Sequence, residues 1–260
     1  MSTLEQTYGL AGKVALVTGG YGGIGEMVCA ALARIGTKVA VAGHNADKAS
    51  GAAEALTKQG GDAIPVVFDA RSVPETQRMV EQVAAHFGRI DILINCVGLN
   101  REAKAEDYPE ETFDFVFDVN LKSAMFQAQA VARHMIRQGT GGSQVHLGSV
   151  RSQVALRGRG YAAYCATKGG LSMLCKQLAA EWAPHKINVN VVAPTFVRTA
   201  MVEHMLSDPE FYNPLIARIP LGRIAEPVDV SNAVLFFASA ASSFVTGQTL
   251  YLDGGLTATQ

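Results

Sequence analysis

Short apolar runs and amphipathic stretches alternate along almost the whole chain. Val14 to Val17 is a continuous apolar run of the kind buried on both faces of a sheet, and Ile24 to Ile35 follows with helical periodicity. Lys38 to Ala42 reads as a second strand, and Ala46 to Gln59 as a helix that the Asn45 side chain can cap. Ile64 to Phe68 is predicted as a third buried strand, and Val73 to Phe87 places Met79, Val80, Val83 and Phe87 at helical spacing. The pattern continues with a strand at Ile90 to Asn95, a long helix from about Thr112 to Arg137 and a strand at Gln144 to Leu147. A helix at Ala162 to Ala183, a strand at Ile187 to Val192, a helix at Pro227 to Ala240 and a strand at Thr249 to Leu252 complete it. Strands that alternate with helices need crossover connections. The expected fold is therefore α/β: one domain over residues 1–260, a doubly wound, Rossmann-type parallel sheet of about seven strands with helices on both faces.

Two stretches interrupt the alternation. Gly98 to Glu111 is polar and follows a strand end, and Pro194 to Pro227 is proline-rich, mixed in polarity and too long for an ordinary connection. Ligands of open parallel sheets bind beyond the carboxyl ends of the strands, where both stretches begin. Pro194 to Pro227 is the candidate substrate lid.

Composition narrows the class. At 260 residues and 48% hydrophobic, the chain can bury a sizeable core, and a net charge of −1 gives no electrostatic case for nucleic acid or an acidic membrane surface. Cys29, Cys96, Cys165 and Cys175 fall in no metal-ligand or paired spacing and read as reduced thiols of a cytoplasmic protein. The opening M-S-T-L-E-Q-T-Y lacks a basic segment followed by an apolar core, and no apolar run is long enough to span a bilayer. No His/Cys/Asp cluster argues for a metal.

The chemistry-bearing stretch is K-V-A-L-V-T-G-G-Y-G-G-I-G, from Lys13 to Gly25: a buried strand, a glycine-dense turn and a helix N-terminus. Such a turn lets the backbone approach a phosphate while free N–H groups and the helix dipole supply positive potential, so a dinucleotide pyrophosphate is the natural occupant. Among the tyrosines, only Tyr164 has a lysine four positions on, Lys168, and one helical turn puts both on the same face. An ammonium near a phenol favours the phenolate and draws it toward working pH, where it can exchange a proton with an alcohol or ketone. Ser149 closes the preceding strand, and Asn120 sits inside a predicted helix although asparagine is a poor helix former.

Thr18-Gly19-x3-Gly23-x-Gly25, Asn95-Cys96-Val97-Gly98, Asn120, Ser149, Tyr164-x3-Lys168 and Pro194 occur in the order and at about the spacings of the short-chain dehydrogenase/reductase family. The chain resembles that family from about Leu10 to Gly255. The resemblance implies a nicotinamide-dependent oxidoreductase with Tyr164 as general acid/base and Ser149 hydrogen-bonded to the reacting oxygen. Lys168 would lower the tyrosine pKa and bind the nicotinamide ribose, and Asn120 would hold a water of a proton relay. The implied cofactor contacts are Gly19, Tyr21, Gly23, Ile24, Gly25, His44, Asn45, Asp69, Ala70, Asn95, Gly98, Tyr164, Lys168, Pro194, Val197 and Thr199.

Departures from the family pattern shape further expectations. The usual Asn-Asn-Ala-Gly is Asn95-Cys96-Val97-Gly98 here, the serine-to-tyrosine interval is two residues longer than the norm, and Ser152 rivals Ser149. An NAD site normally offers a carboxylate at the end of the second strand, where this chain has Gly43-His44-Asn45, so NADP is expected ahead of NAD. Arg101, Arg151, Arg157, Arg159 and Gln153 fall beyond the carboxyl edge; Arg101, Arg151 and Gln153 are candidate substrate contacts for a sugar acid or other polar hydroxy acid, the alternative being solvated loop arginines. Gly98-Leu99-Asn100-Arg101 and Ile219-Pro220-Leu221-Gly222-Arg223 resemble bacterial polyol and gluconate dehydrogenases and also 3-oxoacyl reductases. Apolar residues on more than one face of the Thr112 to Arg137 and Ala162 to Ala183 helices fit the homotetramers common in the family, unless the lid covers them. A non-catalytic nucleotide-binding regulator, and a lyase or epimerase on the same scaffold, are the alternatives from other classes.

Overall fold

A computed structural model describes residues 8–200 and 202–259. Its strands are β1 (Val14–Thr18), β2 (Lys38–Gly43), β3 (Ala63–Val67), β4 (Ile92–Asn95), β5 (Gly142–Leu147), β6 (Ile187–Pro194) and β7 (Thr249–Leu252). The helices are α1 (Gly23–Arg34), α2 (Ala46–Lys58), α3 (Val73–Phe87), α4 (Glu110–Phe117), α5 (Ser123–Gln138), α6 (Ala162–Trp182), α7 (Glu203–Leu206), α8 (Pro209–Ala217) and α9 (Pro227–Ala238). The seven strands form one parallel sheet in the order β3-β2-β1-β4-β5-β6-β7. Strand order reverses between β1 and β4, which opens a crevice at the carboxyl ends of those two strands.

Alternation along β1 divides the core. Val14 and Leu16 pack with Met79 of α3, Val131 of α5 and Leu171 of α6, whereas Ala15 and Val17 pack with Leu32 of α1 and Val234 of α9. Both faces of the sheet are thus covered by helices. Local signals set several ends: Asn45 accepts from the Lys48 amide at 2.9 Å, Ser72 caps α3, and Gly88 closes it in the left-handed region at φ 79°.

Two elements depart from expectation. β3 is not buried; it is the edge strand, with Val67 53% exposed, and an edge tolerates Pro65, which has no N–H to give. The predicted Thr112 to Arg137 helix runs from Glu110 to Gln138 but passes through a π turn at Asp118–Lys122. Asn120 lies within that turn.

Residues 194–227 contain α7 and α8 and have their own apolar cluster of Leu206, Leu215, Ile219 and Ile224, packed with Leu256 and Val154. The two feet of this segment are joined, since the Arg198 amide donates to Ala225 and the Ala225 amide to Phe196. The cluster does not extend to Phe113 and Met173, which stay 40% and 61% exposed. No helix among the described residues is long and apolar enough to cross a membrane.

Candidate active site

The glycine turn after β1 is bare backbone by necessity. Gly19 has φ 69°, and a Cβ on Gly25 would lie 2.2 Å from the Gly19 carbonyl oxygen. A Cβ on Gly23 would strike the Thr199 side chain at 2.6 Å, so the start of the 194–227 segment packs directly on this turn. Close-packed peptide groups at the N-terminus of α1 fit a pyrophosphate, which needs N–H donors and no intervening side chain.

The end of β2 lies beside that turn. The Tyr21 ring lies where a Cβ on Gly43 would sit, 2.3 Å from it, and its hydroxyl accepts from the Asn45 amide at 2.9 Å. The same hydroxyl is 3.2 Å from Nδ1 of the exposed His44. Asp69, after β3, accepts from the amide and guanidinium of Arg71, whose hydrogen bond holds the carboxyl below the usual range. Ala70 is half-buried beside it. Position 44 presents no carboxylate to a ribose.

Tyr164, Lys168 and Ser149 meet at the carboxyl end of β5. The Ser149 hydroxyl, 8% exposed, accepts from the Arg151 amide at 3.1 Å and bears on the Tyr164 phenol, favouring its ionised form. Ser152 turns away: its hydroxyl donates to the Ser149 carbonyl at 2.8 Å and lies 3.2 Å from the Tyr251 hydroxyl. Lys168 Nζ donates to the Leu147 carbonyl at 2.7 Å and stands 5.7 Å from the centre of the Tyr164 ring. Removal from water is the largest influence on both groups. Burial pushes the Tyr164 phenol up to about 12, with the Ser149 hydrogen bond as the main opposing influence, and pushes the Lys168 ammonium down to about 8. The expected acidification of Tyr164 by Lys168 is absent from this arrangement.

Asn120 explains its own position in the π turn. Its Oδ1 accepts from the Leu99 amide at 2.9 Å, and its Nδ2 donates to the Leu99 carbonyl at 2.8 Å and to Thr167 Oγ1 at 3.2 Å. One side chain ties the loop after β4 to α6. In that loop Asn95 Oδ1 accepts from the Val97 amide at 2.9 Å, and a Cβ on Gly98 would come within 3.2 Å of Lys168 Nζ.

A family model described as Enoyl-(Acyl carrier protein) reductase matches residues 19–257. The gluconate 5-dehydrogenase of Gluconobacter oxydans is 39% identical over 253 residues, covering 96% of each chain. A crystal structure of a gluconate 5-dehydrogenase from Burkholderia cenocepacia, in complex with NADP and tartrate, is 36% identical with a TM-score of 0.92, covering 96% of this chain and 97% of that one. That of a short-chain type dehydrogenase/reductase from Mycobacterium marinum gives 35% identity and a TM-score of 0.93, covering 99% and 100%. The chain belongs to the short-chain dehydrogenase/reductase family. It is an NAD(P)-dependent oxidoreductase acting on alcohol or ketone groups.

In this short-chain dehydrogenase/reductase the remaining candidates are spread more widely. Pro194 ends β6, Val197 is 6% exposed and bridges Ala225, and Ile24 is half-buried at the start of α1. Arg101 is exposed, with its guanidinium 3.9 Å from the centre of the Phe115 ring, and Gln153 is exposed. Arg157 is exposed, and Arg159 pairs with Glu102. Arg151 is 6% exposed, its Nη1 donating to the carbonyls of Val154 at 3.2 Å and Ala155 at 2.9 Å.

The reading of the sequence passed over three further features. Tyr161 packs edge-on to Tyr164 with ring centres 5.8 Å apart, and Arg218, just after α8, lines a cavity with Ala155, Leu156 and Arg157. Beneath the site, Thr18, Asn95 and His146 sit side by side on β1, β4 and β5, joined by hydrogen bonds of 3.3 Å between neighbours and capped by Gln127 at 2.7 Å from Thr18. A polar residue two positions before a glycine at a strand end was the one local signal for His146. Among the described residues no group of His, Cys, Asp and Glu side chains is arranged to hold a metal ion.

Proposed function

We propose that this oxidoreductase prefers NADP(H) and acts on a secondary alcohol or ketone of a polar hydroxy acid or polyol, with Tyr164 as its general acid/base. The observation that carries this reading is the meeting of Ser149 and Tyr164 beside Lys168, at the carboxyl edge of the sheet. The bound nicotinamide supplies or accepts the hydride. Tyr164 Oη exchanges a proton with the substrate oxygen, and the Ser149 hydroxyl donates a hydrogen bond to that oxygen, so both fix its position. Lys168, protonated below about pH 8, binds the cofactor ribose. Asn120 acts through position, because it fixes the Leu99 loop against α6.

NADP preference rests on the end of β2, where His44 and the Tyr21 hydroxyl stand in place of a carboxylate. The glycine turn, Asn45, Asp69, Ala70, Asn95, Gly98, Pro194, Val197 and Thr199 complete the proposed cofactor contacts. Residues 1–260 work as one catalytic domain, with 194–227 as its substrate lid. The exposed Phe113 and Met173 support a homotetramer, and free cysteines among the described residues support a cytoplasmic location.

Absorbance of the reduced nicotinamide tests the reading, with each cofactor run against sugar acids, polyols and acyl ketones. NADP(H)-linked turnover of a hydroxy acid or polyol is expected. Turnover with acyl ketones alone, or with none of the panel, contradicts it.

A further inference from the structure

We propose that the Glu102–Arg159 ion pair is the clasp of the active-site entrance, with Arg159 as a positioning residue that holds the loop after β4, the residue before α6 and the 194–227 segment together next to Tyr164. This rests on the reading of Tyr164 as acid/base and of 194–227 as the substrate lid, and adds the contact that holds that lid down.

Segments far apart in sequence converge on this guanidinium. Its Nε donates to Glu102 Oε2 at 2.7 Å and its Nη2 donates to Glu102 Oε1, so the carboxylate on the loop after β4 is gripped through the fork. The guanidinium carbon lies 5.8 Å from the ring centre of Tyr161, the residue before α6, and 5.8 Å from that of Phe211 in α8. Both rings are within reach of a cation–π attraction. Phe211 packs edge-on to Phe196 with ring centres 5.3 Å apart, and both rings pack against the lid's own apolar cluster.

The backbone beside the pair is closed as tightly. The Ala103 amide donates to the Gly160 carbonyl at 3.3 Å, and a Cβ on Gly160 would lie 2.1 Å from the Ala103 carbonyl oxygen, so only glycine admits this approach. Ion pair and backbone contact fall at successive positions on both segments, Glu102 with Ala103 and Arg159 with Gly160, and form one seam. Tyr161 follows at once and packs edge-on against Tyr164, so the seam fixes the wall beside the reacting phenol.

The contacts made by Arg159 are unequal, and that inequality suits a lid. The Glu102 and Arg159 side chains are only 34% and 31% exposed, so water screens their charged fork incompletely. The cation–π contact to Phe211 is weaker and is the one that gives way when the lid opens. Glu102 then keeps the guanidinium in place for reclosure. The feet of the lid are already joined through Phe196, Arg198 and Ala225, so Arg159 supplies a second point of attachment.

The test uses Arg159→Leu, Glu102→Gln and the double variant, with two readouts: KM for the best substrate and for NADP by reduced-nicotinamide absorbance, and amide hydrogen exchange across 209–217 without substrate. Arg159→Leu should raise the substrate KM at least about fivefold, leave the KM for NADP unchanged and speed exchange in α8 by a similar factor. Glu102→Gln should move both readouts the same way by at least about twofold, and it carries the test should Arg159→Leu not fold. The double variant should match Arg159→Leu, because Glu102 acts through Arg159. Unchanged exchange in α8 in the folded variants, or single-variant effects on KM that multiply in the double variant, overturns the clasp. Faster exchange with an unchanged substrate KM overturns the positioning role. Faster exchange in an enzyme that turns over no alcohol or ketone instead overturns the reading of the site and leaves the contact between Arg159 and the 194–227 segment standing.

Discussion

The ammonium of Lys168 donates a 2.7 Å hydrogen bond to the carbonyl of Leu147, the last residue of β5. Lys168 is 4% exposed and has no ion pair among the described residues, so strand backbone alone holds this cation. Burial lowers its pKa from 10.5 to about 8. Between those values the unfolded chain binds more protons than the folded one, so the lysine's contribution to stability rises with pH across that window. The cost of burying the charge, on the order of 3 kcal/mol, is fully present below pH 8. The stability of Lys168→Met relative to wild type should therefore fall by about that amount between pH 7 and pH 10.5 in denaturant titrations. A difference that does not change with pH contradicts the placement of the charge.

His146 behaves in the same sense at lower pH. Burial takes its pKa from 6.5 to about 4, so the folded protein holds it neutral while the unfolded chain protonates it. Stability should drop by on the order of 3 kcal/mol as pH falls from 6.5 through 4. His146→Gln keeps an acceptor for Asn95 and should flatten that part of the acid limb. An acid limb identical to wild type assigns the loss to other groups.

Asn120→Ala removes three hydrogen bonds and leaves both backbone groups of Leu99 without their side-chain partner. A loss of about 2–3 kcal/mol is expected. Amide exchange at Leu99 should accelerate, and kcat should fall, before any change at the glycine turn. Unchanged exchange at Leu99 would show that the loop is held by something else.

At the end of β2, His44→Asp would place a carboxylate beside Tyr21, where the proposed reading puts the 2′-phosphate of the cofactor. The ratio of kcat/KM for NADP to that for NAD should fall by at least about tenfold, through like-charge repulsion and a new partner for a free ribose hydroxyl. An unmoved ratio would place the phosphate away from His44.

The alternation of strands and helices was legible because most of its signals are local. Helix α3 keeps its predicted ends since Ser72 and Gly88 cap it from within the sequence, and β7 lies where its apolar run lies. The position of β3 was not legible, because strand order is a property of the crossovers and Pro65 was the only local hint of an edge. Asn120 drew notice as a helix-breaking residue, but its partner Leu99 is 21 positions away and only the fold brings them together. The spacing of Tyr164 and Lys168 was plain in the sequence. Their desolvation was not, since only the fold buries them, bringing Leu147 and Gly98 against the Lys168 ammonium. Arg218 carried no local signal, being one cation at the end of a short helix.

Replacing one hydroxyl tests the central claim most directly. Tyr164→Phe keeps the ring and its packing against Tyr161 but removes the group proposed to exchange a proton with the substrate oxygen. Measured by reduced-nicotinamide absorbance on the best substrate, kcat is expected to fall by at least about a hundredfold while NADPH affinity, followed by fluorescence, is unchanged. A rate within a few-fold of wild type would contradict the assignment.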